Sequence, residues 1–257
     1  MNMEKIIKLA DDNISSEHIC CAFADKKCLP GYNLKKEWLK SQFDHGYTFK
    51  KLDVRGKVFI EYVPSEYAWI PVEARNYMFI SCFWVSGQYA GKGNGRRLLE
   101  ECITDSKEQG KDGIFIITGD KKKPFMSDPK FYKKHGFERI DIAQPFFELW
   151  SLKFKPDAEN PRFSDSSRSA ECPDKNGIVV YYSDLCPFND YYINVSLQLY
   201  ADSKGVPLKI IKIESREQAL KLPVPLIITS VFYNGKFVSQ LVKPDKELDA
   251  VIIGSSQ

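Results

Sequence analysis

The residues with the clearest chemical use are three glycines within five positions, Gly91-Lys92-Gly93-Asn94-Gly95. An apolar run, Met78 to Val85, precedes them, and an amphipathic pattern from Gly95 to about Gln109 follows. Glycine lets the backbone approach a ligand closely, and the first turn of a helix presents unpaired N–H groups with a partial positive charge. The spacing therefore predicts a strand-to-helix turn that binds the phosphates of a ligand.

The glycine turn alone leaves several kinds of site open. A dinucleotide-binding Rossmann turn fits poorly, because its strand lies about a third of the way along the chain. A P-loop needs Gly-Lys-Ser/Thr, which this turn does not contain. The basic run Lys121-Lys122-Lys123 either helps to attract an anionic ligand or is a solvated loop.

A second segment, Asp128 to Phe137 (Asp-Pro-Lys-Phe-Tyr-Lys-Lys-His-Gly-Phe), predicts a short capped helix that ends at Gly136. This segment is similar to the late helix of the GNAT superfamily of N-acetyltransferases, which has an aromatic-Tyr pair followed by Gly-Phe. The glycine turn resembles motif A of the same superfamily, Arg/Gln-x-x-Gly-x-Gly/Ala, with Gly93 and Gly95 at the two small positions. Two matches in the right order are much more specific than either match alone.

The resemblance implies acetyl-CoA as the cosubstrate and no metal. Ala90 stands where the motif has Arg or Gln, so backbone N–H groups are expected to hold the phosphates without help from that side chain. The residues implied in cofactor binding lie at the end of the apolar run and in the turn. They are Phe83, Val85, Gly91, Lys92, Gly93, Asn94, Gly95 and Arg96.

The resemblance also implies the reaction, in which an amine of a small molecule or peptide attacks the thioester directly within a ternary complex. Tyr132 matches the residue that protonates the departing thiolate, and a phenol with a pKa of about 10 is protonated at neutral pH. Its alternative role is ring packing under the cofactor. The attack also needs a proton acceptor, for which we expect Glu73, or a water chain in its place. Residues 29–49 and 62–77 are expected to form the acceptor pocket.

The elements that must position these residues form a mixed α/β sheet in the first half. The run Met78 to Val85 is apolar almost throughout, which is typical of a strand buried on both faces and predicts a central position. The predicted strands are residues 4–9, 47–54, 57–63, 78–85, 114–118, 137–142 and 146–154, and the predicted helices are residues 15–23, 35–43, 95–109 and 129–135.

A polar stretch rich in Ser and Pro, residues 156–175, predicts a linker or an extended surface crossing between a domain of residues 1–155 and a smaller domain of residues 176–257. The smaller domain has the predicted order β-α-β-α-β-β-α, which resembles the thioredoxin fold. Its strands are expected at residues 177–182, 206–213, 226–232 and 236–242, and its helices near residues 189–200, 215–222 and 244–252. The domain pair resembles the YoaP-type bacterial acetyltransferases over nearly the whole chain.

Within the thioredoxin resemblance, Cys186 matches the cysteine at the start of the first helix, where the helix dipole lowers a thiol pKa. Pro225 matches the position of the cis-proline of that fold. Asn189 stands where the second cysteine of Cys-x-x-Cys would be, so ordinary dithiol exchange is not expected. A docking role is favoured. The alternatives to acetyl transfer are a thiol-redox or CoA-binding regulatory protein centred on Cys186, and a non-catalytic CoA-binding module.

The composition of the chain limits the classes of binding partner and the cellular compartment that can be expected. The 257 residues are 43% hydrophobic and 28% charged with a net charge of +3, a balance that predicts neither a nucleic-acid nor a membrane partner. Seven cysteines without a regular spacing, and a first segment without the pattern of an export signal, predict reduced thiols in the cytoplasm. A homodimer is a further option for the assembly.

Overall fold

The computed structural model describes residues 4–19, 21–225, 228–240 and 246–254. Within the first half the described strands are β1 (Ile6–Lys8), β2 (Thr48–Leu52), β3 (Val58–Pro64), β4 (Val72–Glu73), β5 (Tyr77–Val85), β6 (Gly113–Gly119), β7 (Glu138–Ala143), β8 (Phe147–Lys153) and β9 (Arg162–Phe163). The α-helices of this half are α1 (Leu29–Phe43), α2 (Asn94–Glu108) and α3 (Pro129–Lys134).

The large sheet has the strand order β1-β2-β3-β5-β6-β8-β7. β5 lies at its centre, as the apolar run predicts, antiparallel to β3 and parallel to β6. The other neighbouring strands are antiparallel. Helix α2 covers one face and buries Leu98, Leu99 and Cys102 against it. The predicted class, a mixed α/β sheet flanked by helices, is confirmed.

Local signals explain the two helices on either side of the predicted cofactor site. Gly93, in the left-handed region with φ of +81°, caps the start of α2, and Gly110 (φ +67°) follows its end. The Asp128 side chain accepts a hydrogen bond from the backbone N–H of Lys130 (3.0 Å), and Pro129 is the first residue of α3. Both helices were predicted to within one residue at each end.

The helix predicted over residues 15–23 is wrong, because the described residues of that segment form turns and bends. The segment packs on the β2–β3 hairpin instead, where Nε2 of His18 lies 2.8 Å from the carbonyl oxygen of Val54. A helix of so few residues has little stability of its own, so tertiary contacts decide its conformation. The helix predicted over residues 35–43 is present and begins earlier, at Leu29.

The second half contains β10 (Ile178–Tyr182), β11 (Leu208–Lys212), β12 (Thr229–Tyr233) and β13 (Lys236–Ser239) in the sheet order β11-β10-β12-β13. β10 is parallel to β11 and antiparallel to β12, which is antiparallel to β13. The helices are α4 (Asn189–Tyr191), which continues through a π-helical segment (Tyr192–Leu197) into α5 (Gln198–Lys204), then α6 (Arg216–Ala219) and α7 (Lys246–Gly254).

The predicted order β-α-β-α-β-β-α agrees with these elements. The predicted strand positions 226–227 and 241–242 and the predicted helix positions 244–245 lie outside the described residues. Ser215 caps α6, since its hydroxyl accepts a hydrogen bond from the backbone N–H of Gln218 (3.3 Å). The Gln218 side chain in turn accepts from the backbone N–H of Glu214 (2.8 Å).

One hydrophobic core runs through both halves. It includes Phe79, Phe115 and Phe147 of the large sheet and Val179, Val224 and Phe232 of the second half. The ring of Phe237, on β13, lies 5.9 Å from the ring of Phe146 and 5.7 Å from that of Phe147. Through these buried apolar contacts the second half packs against the first.

Residues 156–175, predicted as a linker, also pack on the first half. β9 pairs antiparallel with β4, with Phe163 opposite Val72. Phe163 is fully buried, and Arg168 forms an ion pair with Asp141 at 2.7 Å. The stretch is therefore a surface crossing that is anchored at Phe163 and Arg168.

Candidate active site

Strands β5 and β6 separate at their C-terminal ends. Their parallel ladder ends with Ile80 opposite Ile116, whereas β5 continues to Val85 in its pairing with β3. The β3–β5 register shifts after Glu61, which marks a β-bulge next to the point of separation. The separation opens the centre of the sheet to an extended ligand between the two strands.

An open groove with an empty volume of about 2330 Å³ runs from this separation over the glycine turn to the start of α2. Gly91 (φ +73°) and Gly93 (φ +81°) are left-handed, and a Cβ at either position would meet no atom within 4 Å. A Cβ on Gly95 would lie 3.4 Å from the Phe131 ring. The first i→i−4 hydrogen bond of α2 runs from Arg97 N–H to the Gly93 carbonyl (3.1 Å), so the N–H groups before it are left for a ligand.

Basic side chains surround the groove. They are Arg96, Lys122, Lys123 and Lys134, with His135 beside them. Their charge and the start of α2 both favour a polyanion. Of the residues predicted to bind a cofactor, Phe83, Val85, Gly91, Gly93, Gly95 and Arg96 line the groove. Lys92 and Asn94 lie in the same turn but do not line it, and Asn94 Nδ2 donates to the Tyr89 carbonyl (3.0 Å).

Tyr132 lines the groove from α3, and its side chain is fully buried. Its hydroxyl donates a hydrogen bond to Ser127 Oγ at 3.3 Å. The ring packs edge-on against Phe131 and Phe137, with centroids 5.2 Å away in both cases. Burial raises the pKa of the Tyr132 phenol above its ordinary value, so the hydroxyl is a neutral proton donor held in place by packing.

A cavity with an empty volume of about 940 Å³ adjoins the groove. β3, β5 and β6 form its floor, and the loop at residues 185–188 of the second half lies across it. The groove and the cavity share Phe83, Trp84, Met126 and Ser127 as lining residues. A ligand in the groove and a ligand in the cavity would therefore meet beside the residue that accepts the Tyr132 hydrogen bond.

A buried polar network forms part of the cavity wall. Glu61 Oε2 accepts hydrogen bonds from Lys35 Nζ (2.6 Å) and from the Tyr47 hydroxyl (2.5 Å). The Tyr47 hydroxyl also lies 2.6 Å from Ser81 Oγ. Burial and the neighbouring Glu61 charge raise the pKa of Tyr47, so a neutral phenol connects the serine to the carboxylate.

No motif in the sequence predicts this network. Lys35 lies on α1, Tyr47 directly before β2 and Glu61 on β3, and their spacing along the chain forms no motif. The signal that could have identified it is a carboxylate inside the apolar run Val58–Pro64. A charged residue in a buried strand needs a partner, and such partnered groups are concentrated at functional sites.

The structure places Glu73, the expected acceptor of the amine proton, apart from the point where the groove and the cavity meet. Glu73 lies on β4, before the N-terminal end of β5, whereas the groove and the cavity meet near the C-terminal end of β5. At about 3.3 Å per residue, Tyr77 and Phe83 alone are roughly 20 Å apart along the strand. The Glu73 carboxylate is half exposed and forms an ion pair with Arg162.

Cys186 lines the cavity and is 8% exposed. Burial raises the pKa of its thiol to about 11, although a hydrogen bond from the Phe188 backbone acts in the opposite direction. This direction is opposite to the one expected from a helix dipole. Desolvation dominates because the thiol faces an apolar cavity, and Cys186 precedes the first helical residue, Asn189, by three positions.

Asn189, at the position of a second redox cysteine, is buried and structural. Its Nδ2 donates to the carbonyl oxygens of Ser183 (2.8 Å) and Ile228 (3.0 Å), which ties together two loops of the second half. Among the described residues the cis peptide bond is Gln144–Pro145, whereas the thioredoxin resemblance suggested Pro225 for such a bond.

Among the described cysteines, Cys82, Cys102, Cys172 and Cys186 are free thiols. The described residues contain no group of three or more His, Cys, Asp or Glu side chains that could hold a metal ion. No helix among the described residues is long and apolar enough to cross a membrane.

Two solved structures are similar to part of the chain. A GNAT family acetyltransferase from Brucella melitensis in complex with acetyl-CoA is 14% identical, over 63% of this chain and 97% of that one, with a TM-score of 0.39. The PaiA N-acetyltransferase from Thermoplasma acidophilum in complex with coenzyme A is 16% identical, over 60% of this chain and 100% of that one, with a TM-score of 0.41.

Sequence similarity identifies the family. Residues 55–139 match the acetyltransferase (GNAT) domain, and residues 207–249 match the YoaP-like family. The uncharacterized N-acetyltransferase YoaP of Bacillus subtilis (strain 168) is 42% identical over 233 residues, which are 91% of this chain and 92% of that protein. This identity extends through both halves, and the chain therefore belongs to the YoaP-like N-acetyltransferases of the GNAT family.

Proposed function

We propose that this protein transfers the acetyl group of acetyl-CoA to a primary amine by direct attack within a ternary complex. The observation that carries the proposal is the meeting of the groove and the cavity at Phe83 and Ser127, beside the Tyr132 hydroxyl. A thioester in the groove and an amine in the cavity would come together there. Bringing two bound reactants into one orientation is the main contribution such a site makes to the rate.

The groove has the features that acetyl-CoA needs. The separation of β5 from β6 leaves room for an extended pantetheine arm, and the backbone N–H groups at the start of α2 can donate hydrogen bonds to the pyrophosphate. Gly91 and Gly93 keep the turn free of side chains on the ligand side. The lysines and Arg96 around the groove balance the phosphate charge.

Tyr132 is the proposed general acid. As the amine nitrogen bonds to the thioester carbon, the carbon–sulfur bond breaks and the electron pair leaves on sulfur. The phenolic proton of Tyr132 then neutralises the thiolate of CoA, and the phenolate takes up a proton from solvent while Glu61 releases one before the next cycle. Burial keeps the phenol protonated, and the packing of its ring against Phe131 and Phe137 fixes its direction.

Glu61 is the proposed final acceptor of the proton that the amine loses. Ser81 Oγ lines the cavity and can take this proton while it passes its own to the Tyr47 oxygen. Tyr47 in turn donates to Glu61, so one proton enters at Ser81 and one arrives on the carboxylate. Lys35 holds the carboxylate in position through its 2.6 Å ion pair.

For the second half we propose a thioredoxin-like fold that has lost redox turnover. The element order and the mixed sheet β11-β10-β12-β13 support this interpretation, with residues 1–155 and 176–257 as the two domains. The raised pKa of Cys186 and the structural hydrogen bonds of Asn189 both argue against dithiol chemistry.

The proposal is tested with the full chain in two measurements. Calorimetric titration with acetyl-CoA should give saturable binding, and release of free CoA thiol in the presence of a panel of amines should give turnover that depends on the amine. Absence of binding to any acyl-CoA would contradict the proposal. Binding without turnover across the whole panel would instead favour a CoA-binding module.

A further inference from the structure

The second half supplies one wall of the cavity in which the amine is proposed to bind. Leu185, Cys186, Pro187, Phe188 and Ile228 all line it, opposite residues of β3, β5 and β6. The sequence expectation placed this pocket on residues 29–49 and 62–77. From the first of these ranges, Lys35 lines the cavity. The loop at residues 185–188 forms the side of the cavity that faces β3, β5 and β6.

This wall is held in place from both sides. An added Cβ on Gly31, in α1, would lie 2.4 Å from the Pro187 carbonyl oxygen, so the loop rests directly on the α1 backbone. The ammonium group of Lys57 lies 5.8 Å from the centroid of the Phe188 ring. Together with the hydrophobic core that the two halves share, these contacts position the loop as part of the pocket wall.

The lining of the cavity is mostly aromatic and aliphatic. Its aromatic members are Phe59, Phe79, Phe83, Trp84, Phe125 and Phe188. Aromatic rings favour edge-to-face and stacked contacts with another flat apolar group.

The charged residues of the lining limit the charge that an occupant can carry. They are Lys35, Lys57 and Glu61, and the Glu61 carboxylate is already paired with Lys35 at 2.6 Å. A second ammonium group on the occupant would face Lys57 with no further carboxylate among the described lining residues. Such an unpaired charge in an apolar cavity is unfavourable, so a polyamine fits poorly.

A polypeptide acceptor also fits poorly. An extended peptide would have to lie across the face of the sheet that residues 185–188 cover, and the contacts of Pro187 with α1 keep that loop there. Moving it would separate apolar surfaces that the two halves share. A molecule small enough to be enclosed meets no such cost.

On this basis we infer that the second half is the acceptor-binding wall of the enzyme, and that the acceptor is a small free monoamine with an aromatic or apolar body. The inference rests on the acetyl transfer proposed above, and it adds the class of substrate and the role of the second half. Phe188 is the side chain that contacts the aromatic or apolar body of the amine and contributes to acceptor specificity.

The test compares acceptors and variants in the full-length protein. The acceptors are tryptamine and phenethylamine as aromatic monoamines, spermidine as a polyamine, and a decapeptide with one lysine. The variants are Phe188→Ala, Phe188→Leu as the conservative replacement, and Leu199→Ala as a control on an exposed side chain of the second half. The readout is free thiol release, analysed for KM and kcat of each substrate.

We expect the aromatic monoamines to give a kcat/KM at least about tenfold above that of spermidine or the peptide. The reason is that an apolar pocket with one buried ion pair favours an apolar acceptor over a highly charged or extended one. Phe188→Ala should raise the KM of the aromatic amine by about tenfold, and Phe188→Leu by less. The KM of acetyl-CoA should stay within about twofold in both, because Phe188 does not line the groove. Leu199→Ala should match the wild type.

A second measurement is independent of turnover and of variant folding. In the wild type, tryptamine should slow the alkylation of Cys186 at pH 9, because Cys186 lines the same cavity. Mass spectrometry of the modified peptide measures the rate of this alkylation. Any of three results would overturn the inference and leave the proposed acetyl transfer intact. They are faster turnover of spermidine or the peptide than of the aromatic monoamines, an unchanged KM for the amine in a folded Phe188→Ala variant, and no protection of Cys186 by tryptamine. Protection of Cys186 without acetyl-CoA binding would support the pocket and overturn the transfer.

Discussion

Lys35 Nζ and Glu61 Oε2 form a 2.6 Å ion pair with side chains only 2% and 4% exposed, which joins α1 to the middle of β3. Removing one partner from such a pair leaves a buried charge without compensation. We expect Lys35→Met to lower the free energy of unfolding by about 3–5 kcal/mol. Adding Glu61→Gln to that variant should restore part of the loss. Urea denaturation of the single and double variants measures both effects.

The control for this prediction is Lys40→Met on the same helix. Lys40 pairs with Glu37 at 3.0 Å, but the two side chains are 39% and 69% exposed. Solvent screens such a pair, and its removal should change the free energy of unfolding by less than about 1 kcal/mol. Equal losses in the two variants would show that the Lys35 pair is no more important than a surface contact.

The carboxylate that takes the amine proton can be identified by comparing Glu61→Gln with Glu73→Gln. Glutamine keeps the size of the side chain and removes the acceptor charge. Loss of a general base costs about 10²–10⁴-fold in rate, so kcat of Glu61→Gln should fall by at least about 100-fold. Glu73 pairs with Arg162 outside the cavity, and Glu73→Gln should keep the wild-type kcat. The reverse ranking in steady-state assays would restore Glu73 as the base.

The glycine turn offers a matched pair of substitutions. Gly93 (φ +81°) and Gly110 (φ +67°) are both left-handed, and at both positions an added Cβ would meet no atom within 4 Å. Gly93→Val and Gly110→Val therefore impose similar backbone strain. Only Gly93 lines the groove, so Gly93→Val should raise the Kd of acetyl-CoA by at least about tenfold and Gly110→Val should leave it unchanged. Calorimetric titration of both variants checks this, and equal weakening would point to strain alone.

Much of the groove could be predicted because its signals are local. The glycines, the Asp128-Pro129 helix start and the apolar run of β5 each specify their own element within a few residues. The fold class follows from the order of such elements. A local signal failed at residues 15–23, where contacts such as that of His18 with Val54 decide the conformation.

The cavity could not be predicted in the same way. Its polar network joins Lys35, Tyr47, Glu61 and Ser81, which meet only after α1 and three strands have packed. Its far wall comes from residues about 100 positions further along the chain than β5. The raised pKa of Cys186 has the same origin, because burial under the first half, and not its position before α4, sets the thiol's environment.

Tyr132→Phe tests the general acid. Since burial raises the pKa of this phenol, it stays protonated from neutral pH to above about pH 10, and the acid should act throughout that range. We expect kcat to fall by about 100-fold and the KM of acetyl-CoA to change by less than about threefold. Tyr62→Phe is the control, because Tyr62 is a buried tyrosine whose hydroxyl bonds Asp105 away from the groove. An equal effect in both variants, measured from about pH 6 to 9, would indicate packing as the role of Tyr132.

Unfolding experiments can test whether the two halves form one cooperative unit. Phe232, on β12, is fully buried in the core that also contains Phe79 and Phe147 of the first half. Phe232→Ala should lower the free energy of unfolding by about 3–5 kcal/mol, as other large-to-small core substitutions do. Because the core is shared, Trp fluorescence of the first half should follow the same transition as far-UV circular dichroism. Leu199→Ala, at a side chain that is 65% exposed, should leave that transition in place. Two separate transitions, with the fluorescence change unaffected by Phe232→Ala, would mean that the second half unfolds on its own and cannot serve as a fixed wall of the cavity.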